Sequence, residues 1–411
     1  MPLSRRALLG AAGAAASVPL VRARAQPLRH TVRIGVLTDL SGPFRDITGE
    51  TSVVCVRQAL ADFGASASAF DAEVISGDHK NDPKLGVDIA RRWIEQDGVD
   101  VIADVPNSAV ALAVSGLCRE KDKILLDASA TAVALTGAHC SPNTIVWSFN
   151  TYLAAQSTGG AVVKAGGNTW YIIGPDYLFG RSLDEQAEQA VKRFGGEVLG
   201  HYLYPFPGTY DFSRYLQQAA ASGAKVIGLA NTGFEALNCV AQAADLGLHE
   251  TGVRIAPLQM FITDVHALGP RLAGGLYITE TFYWDLNERT RAFTARVRPR
   301  TPTNLPNSLQ ASAYSSVLHY LKTVAAMGLA EAKKSGAATV ARMKQSPVDD
   351  DAFGKGSVAP NGRGLFPAYL FQVKSEGESR DPWDVYKLVS TTPAQQTVIP
   401  FDQTGCKISQ S

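Results

Sequence analysis

The sequence predicts an α/β protein of two lobes, each a doubly wound parallel sheet covered by helices on both faces. Three observations carry this. Short apolar runs alternate with longer helical patterns over most of the length, and repeated βαβ units build parallel sheets. The turns between them hold Asp, Asn, Ser or Thr where a helix would begin, the residues that satisfy its first free N–H groups. The 411 residues exceed one typical core, so two domains are expected.

Val32-Arg-Ile-Gly-Val-Leu37 is the first strand; it ends in the loop Thr38-Asp-Leu-Ser-Gly-Pro43, and a helix spans 51–63. Ala72-Glu-Val-Ile75 is the next strand, after which Asp82-Pro83 supplies an N-cap and a first-turn proline for a helix ending at 94. Val99-Asp-Val-Ile-Ala-Asp-Val105 and Ile124-Leu-Leu-Asp127 are strands running into two small hydroxyl-rich turns, Asn107-Ser108 and Ser129-Ala130-Thr131. Each turn is expected to open an alanine-rich helix. Ile145-Val-Trp-Ser-Phe149 is a strand before a helix over 153–165, and Thr169-Trp-Tyr-Ile-Ile173 is a strand before a helix over 181–194. That helix stops at Gly195-Gly196, a C-cap signal.

A strand follows at 197–202, and Asp211 caps a helix over 212–222. Lys225-Val-Ile-Gly-Leu-Ala230 leads through Thr232-Gly233 to a helix over 234–246, ended by Gly247. Strands at 254–258 and 276–281, helices at 287–298 and 308–327, and β-like pieces at 368–373 and 385–389 complete the pattern.

In open α/β sheets, ligands bind outside the carboxyl ends of the strands. That rule gathers the 38–43 loop, Asn107-Ser108, Ser129-Ala130-Thr131, Thr232-Gly233 and Gly174-Pro-Asp-Tyr-Leu-Phe-Gly180 into one candidate cleft. A helix start carries free N–H groups and partial positive charge, so two side by side favour an anion. Ser and Thr add donors without adding charge. The arrangement suits binding a small acid, not transforming one. No G-x-S-x-G elbow, H-E-x-x-H pair or P-loop is present, and the seven histidines show no metal-ligand spacing. The expected protein is therefore not an enzyme and takes no metal or cofactor. Asp78-His79, at a strand end without a partner at a meaningful spacing, is assigned to the loop.

Residues 1–25 have the form of a signal peptide, with Arg5-Arg6, an apolar stretch over 8–21 and a small-x-small site cleaved between Ala25 and Gln26. The paired arginines resemble a twin-arginine signal, and a general secretory signal can carry such a pair too. The apolar run falls short of the ~20 residues that span a bilayer, so the mature chain is expected in the periplasm. Cleavage changes the formal charge from +1 to −3, a balance that argues against nucleic acid. Export also permits a disulfide, although the five cysteines are odd in number. Cys55, Cys118 and Cys239 fall in helical patterns as buried thiols. Cys140 and Cys406 lie in loop contexts, where they either remain thiols or pair and staple the C-terminal tail to the body.

With these residues assembled, the chain resembles the type I periplasmic solute-binding proteins of ABC importers, in the branched-chain amino acid (leucine/isoleucine/valine-binding) family. The resemblance rests on an ordered set: Ile34-Gly-Val-Leu-Thr-Asp-Leu-Ser-Gly-Pro43, Pro106-Asn-Ser-Ala109, Ala128-Ser-Ala-Thr131, Asp176-Tyr-Leu-Phe-Gly180, Tyr210-Asp-Phe212 and the 225–232 stretch. Cys140-Ser-Pro-Asn-Thr144 and Phe282-Tyr-Trp-Asp285 look like a subgroup that often takes aromatic or hydrophobic carboxylates.

The resemblance implies two Rossmann-like lobes joined by three hinge strands, with a ligand trapped on closure. It places the ligand carboxylate at Asn107 or Ser108, Ser129, Ala130 and Thr131, and second-lobe contacts at Phe179, with Tyr177 as an alternative, and at Thr232 or Gly233. Tyr283 and Trp284 either stack on the ligand or pack the core. Amino-acid binders place an acid in the loop after the 254–258 strand; this chain has Leu258-Gln-Met-Phe-Ile262 there, which departs from an α-amino acid site. The expected division is 31–148 with 282–355 for lobe 1, 149–281 with 356–390 for lobe 2, and a tail over 391–411. The expected partners are a small carboxylate and a membrane permease, for a protein acting as a monomer. A ligand sensor of the same fold is the alternative role, and a short amide or urea-like solute the alternative ligand.

Overall fold

The structure is a computed structural model that describes residues 31–64, 70–301 and 303–408. The expected signal peptide and its Ala25–Gln26 junction lie outside the described residues. Two parallel sheets are present. The first contains β1 (Thr31–Thr38), β2 (Asp71–Asp78), β3 (Val101–Asp104), β4 (Ile124–Asp127) and β5 (Thr144–Val146), in the order β2-β1-β3-β4-β5. The second contains β6 (Thr169–Pro175), β7 (Glu197–Tyr204), β8 (Val226–Leu229) and β9 (Arg254–Pro257), in the order β7-β6-β8-β9.

Strand alternation sends side chains to opposite faces. Val32, Ile34 and Val36 of β1 pack with Val53 and Val56 of the helix Gly49–Gly64 and with Val317 and Leu321 of Ser308–Met327. Ile102 and Leu125 point the other way, to Trp93, Val110 and Val114 on the helices Pro83–Glu95 and Ser108–Glu120. The second lobe repeats the scheme. Trp170 and Ile172 of β6 face the helix Leu178–Arg193, while Tyr171 and Ile173 face Ser213–Ala221 and Phe234–Asp245.

Further strands are β10 (Tyr277–Glu280), β11 (Val348–Asp350), β12 (Gly354–Val358), β13 (Gly364–Leu365), β14 (Ala368–Val373) and β15 (Tyr386–Thr392). An antiparallel sheet, β10-β14-β15, packs into the second-lobe core. The chain passes between the lobes at 147–149, where Trp147 belongs to one core and Phe149 to the other. It returns at Phe282, and crosses again between Phe366 and Ala368. The crossings touch: Trp147 and Phe366 have ring centroids 5.4 Å apart, and Ser308 Oγ accepts from the N–H groups of Thr281 and Phe282 at 2.9 and 3.1 Å.

Three expectations change. The 355/356 boundary cuts through β12, which pairs with both β11 and β13; Val358 and Phe366 sit in the first-lobe core, so the third crossing comes about ten residues later. The helix expected over 153–165 begins at Thr151 and contains a π-helical turn at Ala155–Gly159. After Thr131 there is no alanine-rich α-helix, only the 3₁₀ turn Val133–Leu135. Its end coincides with Thr136-Gly137, and a Cβ on Gly137 would lie 2.7 Å from the Thr404 carbonyl oxygen. The tail packs there because Cys140 and Cys406 are joined, with Cα atoms 5.6 Å apart. Cys55, Cys118 and Cys239 are buried free thiols.

Candidate functional site

The carboxyl ends of β3 and β4 hold the two turns singled out in the sequence, but most of their donors are already engaged. The Asp127 carboxylate accepts from the N–H groups of Ser129 (3.1 Å) and Ala130 (2.8 Å). Ser129 Oγ donates to Asp104. Asn107 caps its own helix, accepting from Ala109 N at 2.9 Å and Val110 N at 3.2 Å, and its amide donates to Asn81 Oδ1. Ser108 Oγ accepts from Ala132 N at 3.4 Å. Of these five residues, Ser129 and Thr131 line the space between the lobes, and Pro106 replaces Asn107 and Ser108 there. Backbone strain marks the same spot: Asp104 and Val105 both have positive φ, 79° and 68°, which is costly for a β-branched residue.

Phe44, Ile47, Pro106, Ser129, Thr131 and Leu309 form the first-lobe wall, facing Tyr177, Phe179, Thr232 and Gln259 of the second lobe. The lobes are closed, and the enclosed void is about 10 Å³, about one water probe. Thr131 Oγ1 donates across it to Gln259 Oε1 at 3.0 Å. Thr232 Oγ1 is buried without a partner among the described residues. Phe206 stacks on Tyr177 at 4.2 Å and on Phe44 at 5.8 Å, so aromatic rings run from one lobe to the other. Gly233, at φ 58°, lets the 43–47 loop approach: a Cβ there would lie 3.0 Å from the Pro43 carbonyl oxygen, which accepts from Phe234 N.

Tyr283 and Trp284 are elsewhere. Tyr283 packs on Phe371 and Tyr386, and Trp284 Nε1 donates to the Trp383 carbonyl at 2.9 Å. They belong to the core under β10-β14-β15 because the strand crossing there is buried on both faces. The reading of the sequence missed Phe44, Ile47, Pro106 and Leu309 as cleft residues, and noted Gln259 only as a departure from an acid. Phe44 directly follows a predicted cleft loop, a signal that could have been used. Leu309, in a helix start far along the chain, gave none.

The 174–180 loop is set by Gly180, where a Cβ would fall 2.0 Å from the Pro175 carbonyl oxygen. Gly180→Ala is expected to lift the start of Leu178–Arg193 off β6 and cost about 1–3 kcal/mol, read by thermal or denaturant unfolding. Unchanged stability would contradict that close approach.

The lining of the enclosed void carries no formal charge, while Arg45, Asp46 and Glu235 line the adjoining gap between the lobes, and further ionisable groups stand behind it. Burial pushes Asp104 up to about 6 and raises Asp127, while burial pulls Arg363 down to about 9. Burial takes Glu235 from its ordinary 4.5 to about 8, although Tyr204 donates to it at 3.1 Å. The unfolded chain ionises this acid near 4.5 and the folded chain near 8, so unfolding releases a proton between those values. Wild-type stability therefore falls relative to Glu235→Gln as pH rises through that window, and the gap levels off above it. Melting both proteins from pH 4 to 9 checks this; parallel curves would refute it. His79 is buried, pulled down to about 4 by that burial, and its Nδ1 accepts from Asn81 N at 2.9 Å, a loop role.

Among the described residues there is no cluster of three or more potential metal ligands, and no helix is long and apolar enough to cross a membrane. A family model described as periplasmic binding protein matches residues 31–378. A solved periplasmic binding protein from Burkholderia mallei is 37% identical, with 92% of this chain and 99% of that one covered and a TM-score of 0.87. A branched chain amino acid ABC transporter periplasmic ligand-binding protein from Burkholderia xenovorans is 32% identical over the same shares, with a TM-score of 0.79. An ABC transporter solute-binding protein from R. palustris, solved with benzoate, shares the fold at 19% identity, covering 92% and 99% of the two chains with a TM-score of 0.79. No curated protein matches. Two parallel-sheet lobes closed on one another, together with these likenesses, establish the family: the chain belongs to the periplasmic binding proteins of ABC transporters, which bind small molecules and work with membrane permeases.

Proposed function

We propose that this protein captures a small aromatic or otherwise hydrophobic carboxylate between its lobes and delivers it to an ABC permease. The observation that carries this reading is the neutral lining at the centre of the cleft, with Gln259 facing Thr131 and aromatic rings flanking the pair. An α-amino acid brings an ammonium that needs an acid beside it, because an unpaired buried charge costs several kcal/mol. A monocarboxylate needs only donors. Thr131 supplies a hydroxyl, Gln259 a primary amide and Thr232 a second hydroxyl. Opening the lobes breaks the Thr131–Gln259 contact and makes room for the acid; closing over it selects the form a permease recognises.

A branched-chain amino acid is the second reading, favoured by the likeness to the 32% identical branched chain amino acid ligand-binding protein of B. xenovorans. A thermal-shift series of aromatic carboxylates, aliphatic carboxylates and branched-chain amino acids separates the two, since a specific ligand stabilises by RT ln(1 + [L]/Kd). Stabilisation by leucine or valine with none by the aromatic acids would overturn the first reading.

A further inference from the structure

A second cavity, of about 530 Å³, lies between the lobes under the C-terminal tail. Thr136 and Asn361 reach it from the first lobe, Gln186 and Arg193 from the second, and Arg363 from the segment before the third crossing. Val398, Pro400 and Thr404 of the tail complete it, near the Cys140–Cys406 bond that holds the tail down.

Its charge is one-sided: two arginines and no Asp or Glu line it. Arg363 is only 3% exposed. Its Nη1 donates to the backbone carbonyls of Val146, Trp147 and Ser148, and its Nε has no partner among the described residues. The field of Asp127 reaches it, but burial pushes that acid toward its neutral form. A desolvated guanidinium short of negative charge is expensive. Arg193 likewise leans on uncharged partners, donating to Tyr152 Oη at 3.3 Å and Gln156 Oε1 at 3.2 Å. Gln186 and Asn361, both buried, bring carboxamides to the same space, Asn361 already donating one N–H to the Thr136 carbonyl at 2.8 Å.

We propose that this cavity is a second ligand site, for a small organic dicarboxylate received by Arg193 and Arg363. Arginine forks bind carboxylates bidentately, and carboxamides donate to the remaining oxygens. An anion touching both lobes favours the closed form and so draws them together. The site stands independently of which molecule fills the main cleft.

Calorimetric titration of the mature, disulfide-bonded protein with succinate, at matched salt, tests it. Saturable binding is expected, weakened about tenfold by Arg193→Gln and by Gln189→Glu, which places an acid at the rim. Both positions are at the cavity margin, so these variants avoid the hinge bonds that Arg363→Gln would remove. Absence of saturable binding overturns the proposal, as does wild-type affinity in both variants. Loss of succinate binding on Thr131→Val with the rim variants unaffected would put succinate in the main cleft, and overturns it too.

Discussion

Thr131→Val is expected to weaken capture of the cleft ligand by about 1.5–3 kcal/mol, the worth of a hydrogen bond to a charged group. The Thr131 hydroxyl and the Gln259 amide meet across the closed cleft, both almost fully buried. On the proposed reading, a carboxylate entering between them accepts a hydrogen bond from the hydroxyl and turns the amide N–H groups toward itself. Valine keeps the shape and removes the donor, so the loss reports polarity and not packing. Gln259→Ala should behave similarly, and the double variant should lose less than the sum, because the pair acts on one group. Ser129→Ala is expected to differ. Its hydroxyl proton goes to Asp104, so its deletion leaves a buried acid short of a donor and lowers stability by about 1–3 kcal/mol. Calorimetry and unfolding on the three single variants separate these roles. Unchanged ligand affinity in both Thr131→Val and Gln259→Ala would remove the carboxylate pocket from between them.

The strands and helices were readable because their signals are local. The apolar alternation of Val32, Ile34 and Val36, or Asp82-Pro83 before a helix, needs only neighbours in sequence. The cleft was legible to the level of which loops reach it, since the carboxyl ends of parallel strands share one edge. What each donor does there was not legible. Ser129 and Ala130 offer N–H groups in sequence, but Asp127, two and three residues back, takes both. Asn107 faced the same choice between ligand and helix, and the helix won. Tyr283-Trp284 illustrates another limit. Phe282 packs in the first-lobe core and Tyr283 in the second, because a strand passing between lobes has no open face; the sequence alone shows only adjacent aromatics. Leu309 entered the wall through a helix that returns nearly 180 residues after Thr131, a distance no local pattern spans.

Loss of the Cys140–Cys406 bond is expected to cost about 2–5 kcal/mol. The bond closes a span of 266 residues, and the chain-entropy gain from a cross-link rises with the loop it closes. Its position adds a second consequence. The tail leaves β15 in the second lobe and is anchored by Cys406 to the first. It therefore forms a covalent link between lobes beyond the three chain crossings. Little else holds it: the short 3₁₀ turns Ala394–Gln396 and Phe401–Gln403 bury no residue, and Thr397 is the tail side chain that is fully packed, donating to the Ala394 carbonyl at 2.6 Å and the Phe366 carbonyl at 3.4 Å. In Cys406→Ser the tail should detach before the lobes unfold, so limited proteolysis removes residues beyond about 393 while the body survives, and the melting temperature falls. Adding reductant to the wild type should reproduce both effects and leave Cys140→Ser/Cys406→Ser unchanged. A double variant that melts with the wild type and resists protease would show that packing alone seats the tail, and that the cross-link contributes nothing to either lobe.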